Sequence, residues 1–573
     1  MITESTVDGV PVLLAHQPGP VTAGLLFRVG RADETLATSG ITRLVRHLAL
    51  DRLGPGGPGG PGDGDGSAPA ATFTRFQVTG TPAEVAAHLS GVCAALRELP
   101  VERLETLKEI LRTAPADRSP DHAGRSAQWR YGSRSYGLTG YAEAGLPHLT
   151  AEQVRDWART RFTSGNAVLW ITGGGVPEGL DLTLPSGDRC PAPGATSALP
   201  ALPARFPGDD GSVTLTSVLP RSTAASVFTE VLGRELLRAL HRDTGYAYAA
   251  TAQYLPRDAV SATVVAHAEG LPEHQDAMAG AFVDVLAKLR SGRVDPSDLE
   301  AVRASALARL DTPGLAAARL PGRAADLLLD RPHRTVAEER AEIGAVTAGT
   351  LHEIAHALWE GALLRAPRGS ADGAGLAAAP TGSAEAVSGR AYPALDDPGT
   401  VLTVAAEGVG LAGPAGLITV RYAECSLVQA YPDGARHLVG HDGFTLTVEP
   451  TRFGITAAEL TPLDTGVPPS VLVVMPPRSP ARIPRTTPPA PVPVPAPAPA
   501  APAAPWFTVL LWVLGLPGII IGVSVLLLGI VMGDEHSRIA PDNAWFLFKW
   551  LLAAGASLIP WAVCLRLRTS GRK

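Results

Sequence analysis

The sequence predicts an α+β chain: two α/β domains of duplicated layout, a small antiparallel β domain and a C-terminal two-helix transmembrane hairpin. Three observations carry that reading. The order strand, helix, strands, helices runs twice, over residues 1–190 and 208–365, and points to an old duplication rather than a strict repeat. Residues 400–476 hold short alternating segments broken by Asp-Gly turns, as in HLVGHDGFTLTVEP, the pattern of an antiparallel sheet or small barrel. Two apolar runs, 506–532 and 545–565, close the chain, each long enough for a bilayer.

In the first domain, alternating or continuous apolar residues predict strands over 10–15, 21–29, 73–79 and 167–172. Helical spacing predicts helices over 39–50, 82–96 and 102–111, and Thr150 caps a fourth that runs to Phe162. A glycine-rich insert follows Asp51. A Pro-rich link at 191–207 marks a boundary, after which strands are expected over 212–219, 251–254 and 260–266. Helices are expected over 223–240, 273–289, 296–310, 314–329 and 347–358. Residues 366–399 read as a Gly/Ala/Ser linker, and 477–505 as a Pro/Ala spacer of polyproline type.

The net charge of −6 and the lack of a basic stripe exclude a nucleic-acid partner. Cys93, Cys190, Cys425 and Cys564 are too scattered for a disulfide framework or a thiolate metal site. The N-terminus lacks a basic segment before its first apolar stretch and does not read as a signal peptide. Arg566, Arg568, Arg572 and Lys573 follow the second apolar run, whereas Asp534, Glu535 and Asp542 lie between the two. The positive-inside rule then predicts a two-pass cell-membrane protein, with the lipid bilayer as a partner and both termini and the large body cytoplasmic.

Against this layout, the stretch Gly40-Ile41-Thr42-Arg43-Leu44-Val45-Arg46-His47-Leu48 resembles the zinc helix of the insulinase/pitrilysin peptidases. In working members an inverted H-x-x-E-H motif stands there, two histidines for zinc and a glutamate to activate water. Here Arg43 stands at the first ligand, Arg46 at the base, and only His47 keeps its type. Glu109, in Glu102-Arg103 through Glu109-Ile110, stands where the resemblance places the third ligand. The segments 161–174 and 237–250 resemble the end of the family's first domain and its Gly-x-Ala-Tyr stretch. Tyr248 then matches a substrate-contacting tyrosine, with Arg242 beside it.

The resemblance implies a degenerate member with no catalytic residues, expecting no cofactor. A guanidinium does not deprotonate and adds positive charge where zinc would sit. The plain reading of Arg43, Arg46 and His47 is a polar helix face; a second is that the arginines pair with Glu109 or Glu102. The expected function is a membrane-anchored, inactive insulinase-like scaffold that binds a peptide or protein, with a peptide or a related peptidase chain as partner. The alternative is a zinc metallopeptidase, completed by a partner chain or built on His352, Glu353 and His356. That H-E-x-x-H would supply two zinc ligands and, in Glu353, a base. It falls on a closing helix with no convincing third ligand nearby.

Overall fold

Residues 167–172, AVLWIT, are apolar at almost every position, so the strand they form must be covered on both faces. The computed structural model describes residues 1–53, 71–113, 122–208, 210–370 and 374–484, with the single positions 520, 523, 524, 545, 548, 549 and 552. It divides into two units, Met1–Pro488 and Pro489–Lys573. The first begins with β1 (Ile2–Val7), β2 (Val10–Ala15), β3 (Val21–Phe27), α1 (Ile41–Asp51), β4 (Thr74–Gly80), α2 (Pro82–Arg97), α3 (Leu104–Thr113), α4 (His122–Tyr131), α5 (Ala151–Arg161) and β5 (Ala167–Thr172). Their sheet runs β1-β2-β5-β3-β4, with β2 and β5 parallel and the other pairs antiparallel.

The plan then returns: β6 (Ala204–Pro207), β7 (Ser212–Pro220), α6 (Thr223–Leu236), β8 (Ala247–Pro256), β9 (Ser261–Gly270), α7 (Gln275–Arg290), α8 (Pro296–Leu310), α9 (Leu315–Ala318), α10 (Leu320–Leu328), α11 (Val336–Ala345), α12 (Ala348–Glu360), β10 (Leu363–Ala366) and β11 (Ala377–Ala378). This sheet runs β11-β6-β10-β7-β9-β8. Its inner four strands repeat the first sheet in order and sense: β6 is parallel to β10, β10 antiparallel to β7, and β7 antiparallel to β9. By this correspondence α6 is the counterpart of α1, since they follow the corresponding strands β7 and β3. α12 is the counterpart of α5, since they precede the corresponding strands β10 and β5.

Each sheet packs one face on its own helices, burying separate cores around Leu44, Leu48 and Phe162 and around Phe228, Phe282 and Leu358. The opposite face is covered by a helix from the other half. Leu320, Ala324 and Leu328 of α10 pack on Leu13, Leu26, Val168 and Trp170 of the first sheet. Gly24 makes room there, because a Cβ on it would lie 2.5 Å from the Trp170 indole. In return α4 lies on the second sheet, where Trp129 stacks on Phe206 with centroids 5.2 Å apart. Arg130 Nη2 donates there to the carbonyls of Thr216 (2.9 Å) and Gly361 (2.8 Å). This exchange explains the almost wholly apolar AVLWIT. It also explains why α4, HAGRSAQWRY, is not legible as an amphipathic helix: its partner is a distant sheet, not its own domain's core.

Residues 390–474 form two four-stranded sheets rather than one: β12 (Arg390–Pro393), β13 (Val401–Val404), β14 (Gly408–Gly413) and β15 (Gly416–Arg421) in one, and β16 (Cys425–Ala430), β17 (Arg436–Gly440), β18 (Thr445–Val448) and β19 (Leu472–Val474) in the other. The expectation of a purely antiparallel unit is corrected, since β19 runs parallel to β16. This unit is docked on the first domain. Leu427, Val439 and Val473 pack with Leu36, Ala37 and Leu138. Ser133 Oγ bonds Ser426 Oγ (2.6 Å) and donates to the Gly440 carbonyl (2.7 Å).

The transmembrane hairpin is corrected as well, and with it the lipid-bilayer partner, the two-pass cell-membrane location and the cytoplasmic orientation. Among the described residues no helix is long and apolar enough to cross a membrane. Hydropathy reads only apolar length, whereas a span needs one continuous helix of about 20 residues. The runs at 506–532 and 545–565 lie outside the described residues except for a few single positions, as do the Gly-rich insert at 54–70 and most of the Pro/Ala spacer.

Gly132 seals the docking of the β unit. Its φ is +71°, and a Cβ on it would fall 2.0 Å from the His441 carbonyl oxygen. The Gly132→Ala variant is therefore expected to loosen this contact, speeding proteolytic cleavage between residues 379 and 390 severalfold relative to the wild type. Unchanged cleavage would show that the close approach is not needed.

Candidate functional site

α1 has no side-chain cap of its own at Gly40, which sits at φ +93°. Its exposed N–H groups are met from upstream: the Glu34 carboxylate accepts from the backbone N–H of Gly40 (2.8 Å) and of Thr42 (3.0 Å). Glu34 is buried, and burial pushes its carboxyl up to about 7, against the pull of those N–H bonds, with the Glu143 charge adding to the rise. Glu143 packs directly on Gly40, where a Cβ would come within 3.2 Å of it.

One turn into the helix, Arg43 Nη2 meets Glu143 Oε2 at 2.6 Å and donates to the Leu111 carbonyl at 2.9 Å. Arg46 Nε donates to the carbonyl of Arg75 on edge strand β4 at 3.1 Å. Both arginines are buried, so the polar helix face read from the sequence faces the interior: α1 is buried nearly all round. His47, next to Arg46 on the same helix, is half-buried. Burial first, then the charges of Arg46 and Arg43, lower its imidazole to about 4, so it is neutral at physiological pH.

The expected partner of the arginines is elsewhere. Glu109 is exposed on α3 and pairs with Arg112, at 2.7 Å from Nη2 and 3.1 Å from Nε. That bond holds its carboxyl below the usual range. Arg43 takes Glu143 instead. The residues do not fit a zinc ion: one neutral imidazole, two guanidinium groups beside it, and the third-ligand position engaged in an ion pair.

In the second half, Tyr248 is 59% exposed on β8, at a bulge where the register against β9 slips between Ala247 and Ala249. Its hydroxyl bonds Glu269, which raises its pKa. Arg242 is exposed in a π-helical turn, Leu237–Asp243, and His241 Nδ1 donates to the Ala247 carbonyl at 2.8 Å. His352 and His356 meet edge to face on α12, centroids 4.7 Å apart, while Leu351, Ala355 and Leu358 of that helix are buried. The pair thus stands on the counterpart of α5, not of α1. Among the described residues no group of three or more His, Cys, Asp or Glu side chains could hold a metal ion.

Sequence reasoning missed Glu34 and Glu143. An acid shortly upstream of a helix that opens on glycine was a usable signal for Glu34. Nothing local marks Glu143, which reaches Arg43 across 100 residues of chain.

No family model matches the sequence, and no curated protein matches it. Solved structures do. A protease from Helicobacter pylori is 16% identical with a TM-score of 0.52, over 64% of this chain and 99% of that one. Complex III2 from Candida albicans matches a chain at 13% identity and TM-score 0.51, over 65% and 97%. A structure described as a peptidase M16 inactive domain, from Pseudomonas fluorescens, is 14% identical with a TM-score of 0.50, over 68% and 100%. The likeness is one of fold: duplicated α/β domains of the M16, or insulinase, type. The membrane anchor that the sequence reading attached to this resemblance is not part of it.

Glu34 gives the site a pH signature. Its folded pKa is raised, so its stabilising contribution is full below about 4.5 and is lost as pH rises through about 7. His47 acts oppositely: its contribution is present above about 6.5 and is lost as pH falls through about 4. Glu34→Gln should therefore gain stability relative to the wild type, by about 2 kcal/mol, between about pH 5 and about pH 8 in urea unfolding. A difference that stays flat across that range would contradict the assignment.

Proposed function

We propose that the chain is a non-catalytic peptidase-fold scaffold that binds an extended polypeptide. The observation that carries this reading is the Arg43–Glu143 pair, which occupies the ligand position of the former zinc helix with a permanently charged side chain. The helix serves structure where active relatives of the fold would use it for chemistry. Binding does not need the metal. β4 and β8 end their sheets with one edge unpaired among the described strands, and an extended peptide adds to such an edge through backbone hydrogen bonds. Tyr248, exposed at the β8 bulge, and Arg242 nearby are the side chains that would meet it.

Two measurements test the proposal. The purified full chain, dialysed extensively, should hold far less than one zinc per chain and cleave no peptide in a mixed library, with or without added zinc. Stoichiometric zinc with cleavage abolished by Glu353→Gln would overturn it in favour of the α12 histidines, and loss on His47→Ala would do so in favour of α1. An immobilised library of unstructured peptides should show saturable binding. Tyr248→Ala should weaken it by roughly tenfold with no change in melting temperature. Absence of binding across the library would remove the scaffold reading.

A further inference from the structure

Where the two halves meet, a cavity of about 360 Å³ lies between the start of β4, helix α4 and the sheet strands β7 to β9. Its walls are mostly apolar, with Phe73, Ala127, Leu255 and Val265 among them. Three polar groups break this lining. Tyr136 is 4% exposed and Thr216 3%, and among the described residues neither hydroxyl has a hydrogen-bond partner. Buried hydroxyls left unpaired cost about 1–3 kcal/mol each, so two on one cavity mark a place where a ligand's polar atoms would be satisfied. The third is Arg130, buried with its Nη2 on two backbone carbonyls, Thr216 and Gly361, and with no carboxylate paired to it among the described residues.

The charge balance points the same way. The other guanidinium on the wall, Arg257, is already neutralised by Asp258 at 2.9 Å; it also donates to Tyr131 Oη and lies 5.1 Å over the Tyr136 ring. Arg130 is left as an uncompensated buried cation, whose own charge burial disfavours. Burial also raises the Tyr136 phenol to about 12, which keeps it a donor at neutral pH. A buried cation, two hydroxyls and an apolar wall together suit a small molecule with one anionic, hydrogen-bond-accepting head and a hydrocarbon body.

We propose that this cavity binds a small apolar carboxylic acid. The carboxylate faces Arg130 and the Tyr136 and Thr216 hydroxyls, and the hydrocarbon body lies against Phe73, Leu255 and Val265. Because the walls come from both halves, an occupant would also stiffen their junction. This site is independent of the peptide-binding reading and shares none of its test residues.

The test is calorimetric titration of the full chain with octanoate and, in parallel, octanol, with thermal unfolding as a fold control. Octanoate should bind saturably at one per chain, and octanol weaker by roughly tenfold for want of the charge-assisted contacts. Tyr136→Phe should weaken octanoate severalfold and leave octanol unchanged. Leu255→Trp, at a position 42% exposed and therefore tolerant of size, should block both ligands without lowering the melting temperature. No saturable octanoate binding, equal affinity for the alcohol, or binding indifferent to both substitutions would each overturn the proposal.

Discussion

A guanidinium held under the surface at Arg43 needs an anion, and the pairing with Glu143 that supplies it fixes the geometry around α1. Glu143 lies against Gly40 and beside the Glu34 carboxylate that caps the helix. Removing either partner leaves a buried charge, which costs about 3–5 kcal/mol. The same pair decides the chemistry. A histidine at that position could turn to a metal; an arginine remains charged at every accessible pH and offers no lone pair to one. The one pair thus bears both on the structure of α1 and on the non-catalytic reading proposed for the chain.

What surrounds α1 makes the arrangement rigid. The loop that carries Glu34 is pinned from outside, because Leu36 and Ala37 pack under β16, β17 and β19 of the third unit. Arg28, fully buried just after β3, pairs with Asp33 and donates to the Thr72 and Cys190 carbonyls, tying the same loop to the start of β4. The first sheet is held from behind by α10, so the strands that frame the site are covered on both faces. The β domain thus braces the segment that caps α1.

Much of the fold was legible. The 3.6-residue spacing in α2 and α8 reports contacts made within each half, the near-continuous apolarity of AVLWIT reports cover on both faces, and these segments fall where the sequence pattern puts them. What escaped was long-range. α4 and the short strands β6 and β10 gain their stability from the other half or from distant strands, so their own sequence carries little pattern. At the site, the altered motif at Arg43, Arg46 and His47 was visible because it depends on spacing along one helix. The replacement network was not. Glu109 looked like the partner because of a local frame, yet it pairs with Arg112, and Glu143 arrives through tertiary packing alone. The C-terminal apolar runs show the opposite failing: a strong local signal that no helix among the described residues supports as a span.

The central claim is that α1 is held by the Arg43–Glu143 pair, and a double-mutant cycle tests it most directly. Arg43→Met and Glu143→Gln would be made singly and together, with unfolding free energies measured at neutral pH. The account predicts that each single change destabilises by about 3 kcal/mol, and that the double variant recovers most of one loss, giving a coupling of about 2 kcal/mol or more. Additive losses, with coupling near zero, would show that the two side chains do not depend on each other and would contradict the account.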